Sequence, residues 1–84
     1  MNADEIRERI ETSIAGARAT VEGADQHFSA DVVAGAFSGK TRIERHRMIY
    51  ALFRAEMASQ AIHALALKTS TPDERRGDAP RKET

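Results

Sequence analysis

The spacing of the apolar residues switches between a helical and a strand period along this chain, and this switching constrains the fold more than any other feature of the sequence. Ile6, Ile10 and Ile14 recur every four residues, which places them on one face of a helix over residues 2–15. Gly16 follows as a plausible helix stop. The first element is therefore predicted to be an amphipathic helix that packs through one apolar stripe.

Two segments with a strand period come next. Residues 17–22 and residues 27–34 each alternate small or apolar residues with polar ones, which is the pattern of a half-buried strand. Gly23 and Asp25 lie between them and are residue types that favour turns. Two such segments joined by a short turn predict an antiparallel β-hairpin.

A second helix and a third strand complete the pattern. Residues 41–59 return to the helical period, and residues 62–69 alternate again. The predicted apolar face of this second helix consists of Ile43, Ile49, Leu52, Phe53 and Met57. Thr71 as a cap, followed by Pro72 and then by Glu74 at the third helical position, predicts a short last helix.

The predicted fold class is α+β, in the order α-β-β-α-β-α, with helices packed on a three-stranded sheet. The hairpin is antiparallel, whereas the helix between the second and third strands permits a parallel crossover, so the sheet is predicted to be mixed. The 84 residues leave room for one domain, which we assign to residues 1–76. Residues 77–84 contain no apolar residue larger than alanine and predict a disordered C-terminal tail.

Composition excludes several classes of protein. The chain contains no cysteine, so it forms no disulfide and no thiolate metal site by itself. The first residues lack the apolar run of a signal peptide, and the longest apolar stretch, residues 32–37, is far shorter than the roughly 20 residues of a membrane span. No spacing typical of a nucleophilic or metal-hydrolase site is present. We therefore expect a soluble, cytoplasmic protein that binds other molecules and is not an enzyme.

Acidic and basic residues balance over the whole chain but not along it. Residues 1–31 contain seven acids and three bases, whereas residues 40–54 contain five bases and one acid. The candidate nucleic-acid-binding residues are Lys40, Arg42, Arg45, His46 and Arg47. The segment could contact phosphates, which lysine and arginine bind without reading sequence, or dock a protein partner. A solvated helix face with internal ion pairs explains the same pattern, and all three interpretations stay open at the level of sequence.

Several short strings in this order resemble the BolA family, over roughly residues 3–75. They are His27-Phe28, Phe37-x-Gly39, Arg45-His46-Arg47-Met48-Ile49-Tyr50, Ile62-His63-Ala64-Leu65-Ala66-Leu67-Lys68-Thr69 and Thr71-Pro72. The resemblance implies a fold similar to the class II KH domain, with the same α-β-β-α-β-α order. This chain has no GxxG loop of the kind that clamps nucleic acid in KH domains.

The resemblance also implies a metal site. BolA-like proteins pair with monothiol glutaredoxins and share a [2Fe-2S] cluster across the interface, and His63 matches the family's cluster-ligating histidine. The family's second ligand is a His or Cys in the loop between the first two strands, where this chain offers only His27. From the residues alone, a partly buried, hydrogen-bonded histidine is the favoured interpretation of His63, and His27 also fits an exposed residue at the start of a strand.

We therefore expect a [2Fe-2S] cluster held with a monothiol glutaredoxin and glutathione, in iron–sulfur trafficking or in iron and redox regulation. An imidazole can replace a thiolate on one iron of such a cluster. Two imidazoles without a thiolate do not suffice, so the free protein is expected to carry no cofactor and to be a monomer or a weak homodimer. The alternative is a DNA-binding transcriptional regulator, linked to stress and cell shape, that uses residues 40–54. Arg75 stands where many members have Trp, which predicts a loosely docked last helix.

Overall fold

The computed structural model describes residues 1–77. Four helices and three strands follow one another in an order that matches the predicted α-β-β-α-β-α pattern, with the second helix divided in two. The elements are α1 (Ala3–Ser13), β1 (Arg18–Ala24), β2 (His27–Val33), a 3₁₀ turn (Gly35–Phe37), α2 (Arg42–Leu52), α3 (Arg54–Ala58), β3 (Ala64–Ser70) and α4 (Pro72–Gly77).

Helix α1 packs as its sequence predicts, and it begins at a capping box. The Asn2 side chain accepts a hydrogen bond from the Glu5 backbone N–H, and the Glu5 carboxylate accepts one from the Asn2 N–H. This reciprocal capping box satisfies two of the N–H groups that a helix start leaves unpaired. Ile6 and Ile10 are fully buried and Ile14 nearly so, which confirms the predicted apolar stripe.

The predicted hairpin is present, and its strands extend further into the turn than expected. Strands β1 and β2 pair antiparallel from Arg18 opposite Val33 to Ala24 opposite His27, leaving a loop of two residues. Those residues, Asp25 and Gln26, both have positive φ angles, 55° and 71°. Two left-handed residues are the signature of the tight hairpin turn whose twist matches that of the flanking strands.

The sheet is mixed, as the sequence predicts. Its order is β1-β2-β3, and β3 runs parallel to β2 with His27 opposite Ala64. The buried apolar residues of all three strands lie on the face covered by the helices, and the opposite face is mostly exposed. The fully or nearly fully buried side chains are Ile6, Ile10, Val32, Ala34, Phe37, Ile49, Phe53 and Ile62.

The prediction of a single helix over residues 41–59 is wrong. At Phe53 the backbone leaves the helical conformation, with φ −120° and ψ 21°, so α2 ends and α3 begins there. The break buries the Phe53 ring completely in the core. Ile43, which the periodicity placed on the apolar face, is 62% exposed because its side of α2 faces solvent.

Helix α4 is tied to the domain by charged groups rather than by an aromatic side chain. The Arg45 guanidinium binds both carboxylate oxygens of Glu74, at 2.7 and 3.0 Å, and Arg75 pairs with Asp31. The sequence-based expectation of a loosely docked last helix did not take these two ion pairs into account. Gly77, assigned to the tail from sequence, is the last residue of α4, and the rest of the predicted tail lies outside the described residues. No helix within residues 1–77 is long and apolar enough to cross a bilayer.

Candidate metal centre

The fold brings the two candidate ligand histidines side by side. His27 is the first residue of β2, and His63 immediately precedes β3. The parallel register places His27 opposite Ala64, so His63 lies next to it at the same end of the sheet. The two imidazole rings are stacked, with centroids 5.3 Å apart and planes inclined by 27°. Both residues are exposed, so the buried interpretation of His63 does not describe this structure.

The hairpin turn holds the backbone of both histidines. The Gln26 carbonyl accepts hydrogen bonds from the N–H groups of His63, at 2.7 Å, and Ala64, at 3.0 Å. Gly23 lies across the ladder with φ 130°, and a Cβ atom there would come within 2.2 Å of the His27 carbonyl oxygen. Only glycine fits this close approach of two backbones. The strand ends that carry the rings are therefore fixed by main-chain contacts.

The orientation of the His27 ring follows from its one hydrogen bond. Its Nδ1 lies 2.9 Å from the carbonyl oxygen of Asp25. Because a carbonyl can only accept, Nδ1 must carry the proton, which leaves the lone pair of the neutral ring on Nε2. Histidines that bind metals usually donate their other ring N–H in this way, and the bond fixes both tautomer and ring orientation. Nε2 of His27 is thus the nitrogen available to a metal.

The donor set fits a metal centre that a second molecule completes. Within residues 1–77 no group of three or more His, Cys, Asp or Glu side chains could hold a metal ion. Two imidazoles bound to one tetrahedral metal through bonds of about 2.0 Å have ring centres roughly 5 Å apart. The separation of 5.3 Å between the two rings is compatible with that geometry. Since the chain has no cysteine, any thiolate must come from elsewhere.

The structure divides the predicted nucleic-acid-binding residues into two groups. Lys40, Arg42 and Arg47 are exposed. Arg45 is only 8% exposed, because its guanidinium binds Glu74 and its Nε donates to the Lys40 carbonyl. The pair raises the pKa of Arg45 and lowers that of Glu74 to about 2. Arg45 thus stabilises the domain internally and is not available to a phosphate.

His46 also faces inward. Its Nε2 atom is buried without a hydrogen-bond partner, and its ring packs edge-on against Tyr50. Burial, and secondly the positive charge of Arg42, lower the pKa of His46 below its ordinary value of 6.5. A histidine held neutral in this way is a poor phosphate contact at neutral pH.

One exposed cation was left out of the predicted set. Arg54 begins α3 and lines a surface groove with Arg47. The two arginines are seven residues apart, the spacing of two helical turns, and this spacing is a signal that the sequence does contain.

Comparisons with known proteins place these residues in a family. A family model described as BolA-like protein matches residues 7–74. The DNA-binding transcriptional regulator BolA of Escherichia coli K12 is 37% identical over 86 residues, covering 86% of this chain and 81% of its own length. SufE-like protein 1 of Arabidopsis thaliana, chloroplastic/mitochondrial, is 42% identical over 60% of this chain, which spans only 13% of that protein's length.

Solved structures agree with the sequence comparisons. A BolA protein homologue from Coxiella burnetii has a TM-score of 0.79 and 40% identity, covering 90% of this chain and 97% of its own. The match extends over nearly the whole described domain, including the three-stranded mixed sheet. The chain therefore belongs to the BolA family.

Proposed function

We propose that this protein ligates one iron of a [2Fe-2S] cluster through His63 and His27 and shares the cluster with a monothiol glutaredoxin partner. The exposed, stacked histidine pair is the observation that carries this proposal. It offers two imidazole nitrogens at one end of the sheet, with the His27 tautomer set by the Asp25 carbonyl.

The donor chemistry supports a shared cluster over one held alone. Ligation of one iron by two histidines is known chemistry for [2Fe-2S] centres, whose other iron takes two thiolates. This chain can supply the histidines and cannot supply a thiolate. A partner with an exposed cysteine, assisted by a thiol such as glutathione, completes the set. Iron–sulfur trafficking, or sensing of iron and redox state, is the role that such a shared centre serves.

Co-expression with the host's monothiol glutaredoxin tests the proposal. The purified complex is expected to show visible absorption from a [2Fe-2S] cluster. His63→Ala is expected to abolish or shift this absorption, because one iron loses its imidazole ligand, and His27→Ala is expected to change it in the same direction. His46→Gln is the matched control, since this third histidine of the chain packs against α2 residue Tyr50 and not at the pair.

A spectrum that is the same in wild type and His63→Ala would eliminate the assigned role. Equal loss in the His46→Gln control would instead point to general destabilisation of the domain. Circular dichroism of each variant separates the two outcomes.

A second candidate is DNA binding in transcriptional regulation. Two observations favour it: the E. coli relative is a DNA-binding transcriptional regulator, and Lys40, Arg42, Arg47 and Arg54 are exposed along α2 and the start of α3. This function would use the helical surface and leave the histidine pair free. The salt dependence of DNA affinity tests it.

A further inference from the structure

A groove of about 370 Å³ lies between α2 and α3, away from the histidine pair. Its floor is apolar, formed by Tyr50, Ala51 and Met57, and its walls carry Arg47 and Arg54. Both arginines are exposed, and within residues 1–77 neither forms an ion pair. We call this surface the basic groove.

Few acids lie near the basic groove. Glu44, the only acid in α2, accepts a hydrogen bond from the Thr41 N–H at 2.8 Å and also interacts with the charges of Lys40 and Arg47, so it offsets part of the positive charge of Arg47. The Glu56 carboxylate in α3 forms an ion pair with Arg9, at 2.8 Å. Ile43, one helical turn before Arg47, is the one large apolar side chain within residues 1–77 that is strongly exposed. An apolar floor flanked by two exposed guanidinium groups is complementary to an acidic protein surface with an apolar centre.

Two hydrogen bonds link the helices of the basic groove to the segment that carries His63. The Tyr50 hydroxyl donates to the Leu65 carbonyl at 2.8 Å, two residues after His63. On the side of α3, the Ile62 N–H donates to the Glu56 carbonyl at 3.1 Å, so α3 is bonded to the residue just before His63. A molecule that reaches the His63 ring therefore meets this edge of the domain.

We propose that the basic groove is the docking surface for the protein partner that brings the thiolate ligands, and that this partner presents carboxylates to Arg47 and Arg54. The inference rests on the proposed function, because it identifies the occupant through the shared cluster. It assigns two tasks to two sets of residues. The histidines bind iron, whereas the basic groove binds the partner before and without iron.

Binding of the cluster-free proteins tests this division. The affinity of the iron-free chain for the host's monothiol glutaredoxin is measured by calorimetry, with NMR shifts locating the surface. Arg47→Glu/Arg54→Glu is expected to weaken binding by about tenfold or more, because like charges are brought into contact. His63→Ala is expected to leave this iron-free affinity unchanged. Affinity of the wild type is expected to fall with salt, as for any contact between exposed charges.

The control is Arg18→Glu/Lys68→Glu, which makes the same change in net charge at exposed strand positions outside the basic groove. Equal weakening by the control would overturn the inference, since the effect would then be one of net charge. Unchanged binding by Arg47→Glu/Arg54→Glu would overturn it as well, and loss of DNA binding alone in that variant would assign the groove to nucleic acid. Failure of the wild-type complex to hold a cluster, with iron-free docking through the groove intact, would instead refute the proposed function alone.

Discussion

At the scale of single residues, the candidate centre depends on main-chain atoms more than on the side chains beside it. The Asp25 carbonyl oxygen accepts a hydrogen bond from the His27 ring, and the Gln26 carbonyl oxygen accepts one from the His63 backbone N–H. The two residues can do so because both adopt left-handed conformations in a two-residue turn. Such conformations are unfavourable for residues with a Cβ atom, so the turn carries local strain at the point where the ligands meet.

That strain gives a first prediction. Gln26→Gly is expected to stabilise the domain by about 1 kcal/mol, because glycine adopts a φ of 71° without the Cβ clash that glutamine suffers. The free energy of unfolding is measured by urea denaturation. Ser29→Gly, at an exposed position within β2, is the control and is expected to destabilise. Destabilisation by Gln26→Gly would show that the Gln26 side chain contributes more than its backbone strain removes.

A second prediction concerns the pH dependence conferred by His46. Burial and the Arg42 charge lower its pKa in the folded protein, whereas the unfolded chain titrates near 6.5. The unfolded state therefore binds more protons just below that pH, and the free energy of unfolding should decrease as pH falls from about 6.5 toward the lowered pKa. NMR titration of the ring measures this pKa. Arg42→Gln should raise it, and a His46 pKa equal to that of a short peptide would contradict the prediction.

At the scale of elements, the helices and strands that could be predicted from sequence are those that depend on local periodicity and capping. The isoleucine stripe of α1, the alternation in β2 and the capping residue Thr71 all act within a few residues, and the structure has each of them. The break at Phe53 was missed because it depends on burial of the ring in the core, where Arg9 of α1 lies over it, and this contact joins residues far apart in sequence. The stacking of the histidines depends on the β2–β3 register, which periodicity does not determine.

A third prediction belongs to the packing of α4 on α2. Glu74 has a pKa of about 2, chiefly because Arg45 binds its carboxylate, against 4.5 in an unfolded chain. The stabilisation is complete above pH 4.5 and is lost as pH falls toward 2, because the unfolded state then takes up the proton first. Glu74→Gln is therefore expected to lower the melting temperature at neutral pH and to flatten its decrease between pH 4.5 and 2.

The control for this prediction is Asp73→Asn. Asp73 pairs with Arg76 one turn along α4, but both side chains are largely exposed. Exposed ion pairs contribute little to stability, so this variant should keep the acid dependence of the wild type. If Glu74→Gln also kept it, the Arg45–Glu74 contact would not be what holds α4 at low pH.

At the scale of the whole molecule, folding reduces the positive charge that the sequence offers to a partner. The net charge is zero, and of the bases in residues 40–54 Arg45 is used internally. The cations left exposed along α2 and the start of α3 are Lys40, Arg42, Arg47 and Arg54. A surface of this size suits a protein partner with few carboxylates, or a short contact with DNA, better than an extended nucleic-acid track.

The fourth prediction follows from that limit. Each phosphate neutralised contributes about −0.9 to the slope of log affinity against log salt. With the four exposed cations on this surface, the slope for duplex DNA should be no steeper than about −3.6. Arg47→Gln/Arg54→Gln should make it shallower by about 1.8, while Arg18→Gln/Lys68→Gln should leave it unchanged. Fluorescence anisotropy over a range of salt concentrations measures the slopes. A wild-type slope much steeper than this limit would place additional DNA contacts outside the helical surface, because α2 and the start of α3 expose no further cations to account for them.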